Sequence, residues 1–170
     1  MKFCLSILFL FTSIITNSQV RLELTPKGFE PNPLRGKLPA MTNEKFIEGT
    51  QLWIQEFSRG EADISEVTEN SLTIDAFRDN AFFYRSLGDT FFQKVKYRIK
   101  VAKEGNEYVL SFQITEIYSK KTLLKSGITD YLTSDGKTKD GFQDVKPSIE
   151  KTVGIILDSY FRYMNYFART

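Results

Sequence analysis

The chain has 170 residues, a formal net charge of +2 at pH 7, and acidic and basic residues interspersed along its length. This balance favours neither a nucleic-acid-binding protein nor a chain with an acidic tail. Histidine is absent, which excludes Ser-His-Asp and Cys-His catalytic sites, histidine-ligated zinc and the side chain most often used as a general base near neutral pH. We therefore expect no catalytic residues, cofactor or metal centre.

The N-terminal segment 1–19 has the features of a secretory signal peptide. A short basic start precedes an apolar run over 3–15 and a polar exit over 16–19. The run is shorter than the roughly 20 residues of a membrane-spanning helix, and no other stretch is apolar enough to cross a bilayer. We expect an exported protein, periplasmic or extracellular, with one domain over 20–170. The only cysteine, Cys4, lies in the segment that export removes, so the mature chain must be stable without disulfides.

The first part of the domain predicts one clear helix. Residues 20–24 alternate as a short strand does, and the four prolines of 25–40 predict an irregular connection. A helix is predicted over 43–58, with Thr42 or Asn43 as N-cap and Gly60 just past its end. Its apolar stripe places Trp53 in the core, with a ligand platform as the alternative. The stripe consists of Phe46, Ile47, Thr50, Trp53, Ile54 and Phe57.

The segment 61–90 predicts short strands separated by turns. Residues 61–77 alternate as two strands that meet near 69–70, and 78–80 predict a turn. Residues 81–87 are densely aromatic and indicate a short strand or a wide connection. Their rings, with those that follow residue 90, could line a pocket for an apolar ligand, and core packing is the alternative. The candidate pocket residues are Phe82, Phe83, Tyr84, Phe91 and Phe92.

The strongest pattern in the sequence is a β-hairpin over 91–118 with its turn at Gly105-Asn106. Apolar and basic residues alternate along the first arm, and the even positions of the second arm are apolar. A two-residue Gly-Asn loop suits a type II′ or I′ turn. It places Val101 opposite Leu110, Ile99 opposite Phe112, Tyr97 opposite Ile114 and, as the one mismatch, Val95 opposite Glu116.

Four basic side chains of the first arm are predicted to share the outer face of the sheet. The predicted neighbours on the second arm are Ile117 for Lys94, Thr115 for Lys96, Gln113 for Arg98 and Ser111 for Lys100. A solvated face is one interpretation. The other is a docking surface for an anionic partner such as an acidic glycan, phospholipid head groups or an acidic protein. The four residues are Lys94, Lys96, Arg98 and Lys100.

The C-terminal part predicts a loop followed by the longest helix. A weak strand is predicted over 128–132 and an exposed loop over 133–141, which has two glycines and almost no apolar side chain. Asp144 is the expected cap of the final helix, and Pro147 lies in its first turn. Its apolar residues repeat at steps of four and three: Ile149, Val153, Ile156, Tyr160, Tyr163 and Phe167. The first four are expected to meet the apolar face of the hairpin's first arm, which consists of Val95, Tyr97, Ile99 and Val101.

The order of predicted elements, with residues 45–57, 96–101 and 108–112, resembles a family of secreted Bacteroidetes proteins of unknown function with a TBP-like fold. The residues that carry the likeness are Lys45-Phe46, Trp53 to Phe57, Lys96 to Val101 and Tyr108 to Phe112. The resemblance implies a β-α-β4-α order and brings no catalytic residues.

We predict one α+β domain with a curved antiparallel sheet of four or five strands and both helices on one face, the C-terminal helix lying across it. The expected function is a non-catalytic binding or interaction module whose partner is a protein, glycan or lipid of the cell envelope. The alternative is a carrier of a small apolar or amphiphilic ligand held between the sheet and the C-terminal helix. A histidine-free hydrolase that uses paired carboxylates is a third hypothesis.

Overall fold

The computed structural model describes residues 21–59 and 61–170. The predicted signal peptide at 1–19 and the predicted helix-ending Gly60 lie outside the described residues. The two α-helices are α1 (Asn43–Ser58) and α2 (Val145–Phe167), and a 3₁₀ helix covers Ile128–Tyr131. The strands are β1 (Glu23–Thr25), β2 (Gly28–Glu30), β3 (Leu34–Lys37), β4 (Ala62–Ser65), β5 (Ser71–Ser86), β6 (Asp89–Glu104), β7 (Glu107–Ser119) and β8 (Thr122–Leu123).

The main sheet has the order β3-β7-β6-β5-β4, and the two-residue strand β8 pairs with the far end of β7. All of these pairs are antiparallel. The separate β1–β2 hairpin lies beside α2, because the backbone N–H of Leu24 donates to Glu150 at 2.8 Å. Helix α1 contacts α2, β4 and β5, and α2 contacts β5 and β1. The predicted α+β architecture is confirmed. Residues 23–24 of the predicted first strand belong to β1, which pairs with β2 outside the main sheet, and β2, β3 and β8 are additions.

The central hairpin has the predicted turn. Glu104 and Glu107 are the last paired residues, and Gly105 adopts a φ of 61°. A positive φ at the first loop residue alone is typical of a type II′ turn. The inner pairs also match the prediction: Val101 with Leu110, Ile99 with Phe112, and Tyr97 with Ile114.

A β-bulge in β7 removes the predicted mismatch at the far end of the hairpin. The register shifts between Ile114 and Glu116, so Thr115 has no Cα partner and Val95 lies opposite Ile117 rather than Glu116. The Thr115 hydroxyl donates to the carbonyl of Lys96 at 3.2 Å. The predicted outer neighbours of the first two lysines were therefore wrong. Lys96 lies opposite Glu116 and Lys94 opposite Tyr118.

Strand β5 is a single 16-residue strand where the sequence predicted separate strands and a turn. The register against β6 shifts between Arg78 and Phe82, and Asn80 there has a φ of 50°. Arg78 pairs with Val95 and Phe82 with Gln93, so residues 79–81 form a bulge opposite Lys94. The bulge bends the strand without ending it. The true turn is Leu87-Gly88, where φ is 51° and 88°, as a type I′ turn requires.

Two segments differ from their predicted local structure because tertiary contacts decide it. The proline-rich stretch contains β2 and β3, and its prolines fall outside these short strands, as the edge of a sheet tolerates. The predicted strand at 128–132 is mostly a 3₁₀ helix. Ile128 and Tyr131, three residues apart, are both buried, and a three-residue period matches that helix.

The bounds of both α-helices follow from their capping residues and apolar stripes. The N–H of Lys45 donates to the Thr42 hydroxyl at 3.2 Å, so Thr42 is the N-cap of α1. The helix ends at Arg59, which has a left-handed φ of 54°. Asp144 begins α2 but its side chain makes no cap bond. Its carboxylate instead accepts from Arg85 at 3.2 Å.

The core lies between the inner face of the sheet and the two helices. Trp53 is 1% exposed, stacks on Phe57, meets Tyr160 edge-on and donates from Nε1 to Ser159 at 3.1 Å. It is therefore a core residue. The predicted contact faces of β6 and α2 are both no more than 1% exposed, whereas Ile155 of α2 is 43% exposed and faces away. The buried faces comprise Val95, Tyr97, Ile99, Val101, Ile149, Val153, Ile156 and Tyr160.

Candidate functional site: the outer sheet face and its edge cleft

The face of the sheet opposite the helices carries the four predicted basic side chains. They alternate with the buried residues of β6, and the side chains of Arg98 and Lys100 are 51% and 62% exposed. The prediction that this row lies on the outer face is confirmed. Whether the row can serve as a docking surface for an anionic partner depends on the carboxylates that lie beside it.

Each of the four cations pairs with a carboxylate from another part of the sheet. Arg98 donates from Nε and Nη2 to both oxygens of Asp75, at 3.0 and 2.9 Å. This two-point geometry fixes the guanidinium plane. The other pairs are Lys94 with Asp79 at 3.2 Å, Lys96 with Glu116 at 3.6 Å, and Lys100 with Glu66 at 3.4 Å. The row is thus the basic half of a mixed-charge network.

Glu66 shows how the network extends beyond β5. It lies after β4, at a φ of 50°, and accepts from the Thr73 hydroxyl at 2.8 Å. The hydrogen bond from Thr73, followed by the hydrogen bond and charge of Lys100, lowers the pKa of the Glu66 carboxyl. The carboxylate therefore stays ionised at neutral pH and remains available to Lys100.

The five predicted pocket residues do not come together. They lie on a two-stranded ribbon formed by the ends of β5 and β6, and neighbouring positions on a strand point to opposite faces. Phe82 is fully buried against Tyr131. Tyr84 stacks on Phe91 and packs against Phe142 on the same side. The remaining pair, Phe83 and Phe92, lies on the outer side with ring centroids 5.6 Å apart.

The outer face also carries aromatic rings that the sequence did not single out. The ring centroids of Phe77 in β5 and Tyr118 in β7 are 6.1 Å apart. The ammonium groups of Lys94 and Lys96 lie 4.8 and 5.7 Å from the ring centroid of Phe77. A cation over an aromatic face is attracted by the ring electrons. With Phe92, which is 54% exposed, these rings make the face aromatic and charged at once.

A cleft of about 480 Å³ lies at the free edge of β7 and opens onto this outer face. Residues 111–114 of β7 form its floor, and Arg98 and Lys100 reach it from the neighbouring strand. The turn of the β1–β2 hairpin forms one wall, and the start of the 3₁₀ helix forms the other. The wall residues are Lys27, Gly28, Phe29, Asn32, Gly127, Ile128 and Thr129.

The edge of β7 is open here because two short strands cover only its ends. Strand β3 pairs with 107–110 and β8 with 118–119. The side chain of Asn32 continues the ladder by one step: it donates to the carbonyl of Phe112 at 3.0 Å and accepts from its N–H at 3.2 Å. Since alternate residues point their backbone groups the same way, the N–H and C=O of Ile114 also face the cleft.

A second cleft, of about 640 Å³, runs along the solvent side of α2 and not between α2 and the sheet. Its lining includes Arg21, Glu150, Gly154 and Ile155. Both acidic and basic side chains line this cleft, so its charge favours neither an anionic nor a cationic ligand.

Among residues 21–59 and 61–170, no group of three or more Cys, Asp or Glu side chains is placed to hold a metal ion. In the same residues, no helix has both the length and the apolar character needed to span a membrane.

No family model and no curated protein sequence matches the chain. Solved structures with a similar fold include the following two. A DUF4468 family protein from Bacteroides ovatus has a TM-score of 0.57 at 12% identity, over 81% of this chain and 84% of that one. A TBP-like protein from Parabacteroides distasonis has a TM-score of 0.56 at 10% identity, over 81% of this chain and 90% of that one. The predicted resemblance is confirmed at the level of the fold: the chain has the TBP-like α+β architecture of these Bacteroidetes proteins.

Proposed function

We propose that the protein is an exported, non-catalytic binding module that contacts its partner through the outer face of β5, β6 and β7. The observation that carries this proposal is that both helices pack on the inner face, while the opposite face combines paired charges with aromatic rings that are partly or fully exposed. The expected signal peptide and the absence of histidine from the sequence support export and a non-catalytic role.

The composition of this face is unusual for a surface that only meets water. Antiparallel sheets commonly have one solvated face, and such a face is mostly polar. Here four aromatic residues share it with an arginine whose guanidinium is held by two hydrogen bonds. Aromatic residues and arginine dominate binding energy at protein interfaces, and preordered side chains lose little entropy when a partner binds. The rings are Phe77, Phe83, Phe92 and Tyr118.

The alternative function, a carrier with its ligand between the sheet and α2, stays a prediction. The inner residues of β6 and α2 are no more than 1% exposed and belong to the same core, in which Tyr97 stacks on Phe112. The aromatic residues expected to line a pocket lie on two faces of the β5–β6 ribbon. These observations favour the surface over the interior as the place of contact.

Site-directed photocrosslinking in the cells that make the protein tests the proposal. A photoreactive phenylalanine analogue replaces Phe92 on the outer face in one variant and Tyr166 in the other. Tyr166 is the matched control, because it is an aromatic residue 70% exposed on α2. We expect a discrete crosslinked species from position 92 and none from position 166. Crosslinking from 166 alone, or from both to the same degree, would contradict the assignment of the contact face.

A further inference from the structure

We propose that the edge cleft of β7 binds a carboxylated saccharide, with the carboxylate held by Lys27, Arg98 and Lys100. This inference rests on the proposed binding function and names its ligand class. The cleft brings these three cations together from the β1–β2 turn and from β6, two segments about 70 residues apart, and no Asp or Glu belongs to its lining. A concave site with cations and no lining carboxylate attracts anions.

The three cations differ in how free they are to bind a ligand. Within the described part of the chain, no carboxylate lies within 4 Å of the Lys27 ammonium group, so Lys27 has its full charge to offer. Lys100 pairs with Glu66 at 3.4 Å, but both side chains are more than 60% exposed. An exposed ion pair of this kind contributes little free energy and is readily exchanged for a ligand carboxylate.

Arg98 is held in a fixed orientation and still has free N–H donors. Asp75 occupies its Nε and one hydrogen of Nη2. The Nη1 group makes no hydrogen bond to any residue of 21–59 or 61–170, and Arg98 lines the cleft. The guanidinium has five N–H donors in a rigid plane. Asp75 therefore holds the group in place while leaving donors free for an anionic ligand.

The rest of the cleft fits a sugar better than a bare anion. The side chains of Ser111, Gln113 and Thr129 make no hydrogen bond to other described residues, and the backbone of Ile114 adds a donor and an acceptor. Phe29 and Ile128 also line the cleft but are only 3% and 7% exposed, so a ligand meets mainly the polar groups. The hydroxyl groups of a sugar match these free donors and acceptors. The volume of about 480 Å³ is that of a small-molecule site.

The decisive experiment is an NMR titration of the ¹⁵N-labelled exported protein with tetragalacturonic acid. The matched control ligand is its fully methyl-esterified form, which has the same chain and no charge. Inorganic phosphate is titrated separately. We expect tetragalacturonic acid to shift the amide signals of Gln113, Ile114, Gly127 and Thr129. The ester should bind at least about tenfold more weakly than the acid, because a charge-assisted hydrogen bond is lost.

Protein variants sharpen the test. Lys27→Gln and Lys100→Gln should each weaken binding of the acid by about tenfold, whereas Lys151→Gln, an equal charge change on α2 away from this cleft, should leave it unchanged. Equal binding of acid and ester would overturn the role of the carboxylate. Phosphate binding at the same amides without saccharide binding would overturn the saccharide class. Saccharide-induced shifts confined to Phe77, Phe92 and Tyr118 would overturn the cleft but leave the proposed outer-face function standing.

Discussion

The phenol oxygen of Tyr160 in α2 lies 3.1 Å from the hydroxyl oxygen of Thr50 in α1, and both residues are no more than 1% exposed. Thr50 donates its own proton to the carbonyl of Phe46 at 2.8 Å. Tyr160 must therefore be the donor in the bond between the helices. This direction means that the two residues are not equivalent, although they share one hydrogen bond.

The first prediction concerns this asymmetry. Tyr160→Phe removes a donor and leaves Thr50 bonded to Phe46, so it should lower the free energy of unfolding by only about 1 kcal/mol. Thr50→Val leaves the buried Tyr160 hydroxyl without an acceptor, so it should cost more, about 1–3 kcal/mol. Urea unfolding followed by Trp53 fluorescence measures both. The double variant is the control: it leaves no unpaired group and should be more stable than Thr50→Val. Strictly additive losses would refute the assigned direction.

The second prediction concerns Tyr97, whose buried hydroxyl has no hydrogen-bond partner among the residues that the structure describes. An unpaired buried hydroxyl destabilises the folded state, so Tyr97→Phe should raise the free energy of unfolding by about 1–3 kcal/mol near pH 7. Chemical denaturation at that pH measures the change. An unchanged or lower stability would mean that the hydroxyl is satisfied in solution.

The third prediction extends Tyr97 to alkaline pH. Burial raises the pKa of Tyr97 to about 12, and the unfolded pKa is about 10. Because the pKa of Tyr97 is higher in the folded state than in the unfolded state, folding favours the protonated phenol. The contribution of this preference to the free energy of unfolding is complete below pH 10 and is lost as the pH rises towards 12. Over that window the stability advantage of Tyr97→Phe should grow by about 1.4 kcal/mol per pH unit. Denaturation curves at several alkaline pH values test this, and a constant difference between the two proteins would contradict it.

The fourth prediction concerns the centre of the core. Phe112 stacks on Tyr97 and meets Phe29 edge-on, so Phe112→Ala should cost about 3–5 kcal/mol, and Ile99→Ala about 2–5 kcal/mol. Ile155→Ala is the matched control, since this residue of α2 is 43% exposed and its replacement should change stability by less than about 1 kcal/mol. Thermal or urea midpoints of the three variants decide the matter. If Ile99→Ala and Phe112→Ala leave the midpoint in place, the core assignment fails.

The fifth prediction compares two helical glycines. A Cβ atom at Gly154 of α2 would meet no atom within 4 Å, whereas one at Gly49 of α1 would lie 2.6 Å from the ring of Phe167. Gly154→Ala should therefore stabilise the protein by about 0.5–1 kcal/mol, because alanine loses less backbone entropy in a helix. Gly49→Ala should destabilise it by about 1–3 kcal/mol through overpacking. Thermal unfolding measures both variants. If both substitutions change the stability in the same direction, the close approach of Phe167 to Gly49 does not exclude a Cβ atom there.

The candidate site was only partly predictable from the sequence. Alternation along β6 placed Arg98 and Lys100 on the outer face, because side chains alternate faces in any strand. It carried no information on Asp75, whose position opposite Arg98 depends on the pairing of β5 with β6. Lys27, Asn32 and Thr129 belong to segments without periodicity, and only the folded chain places them beside β7.

The elements that could be predicted from the sequence are those whose information is local. They are the two helices, through their apolar stripes and the Thr42 cap, and the central hairpin, through alternation on both sides of a two-residue loop. The tertiary structure alone decided the bulge at Thr115, the continuity of β5 through 78–80 and the partners of the basic row. Each of these depends on which residue of a distant segment lies opposite. A one-residue shift in a strand reverses which face every later side chain occupies, and no periodicity within a single strand records where its neighbour makes that shift.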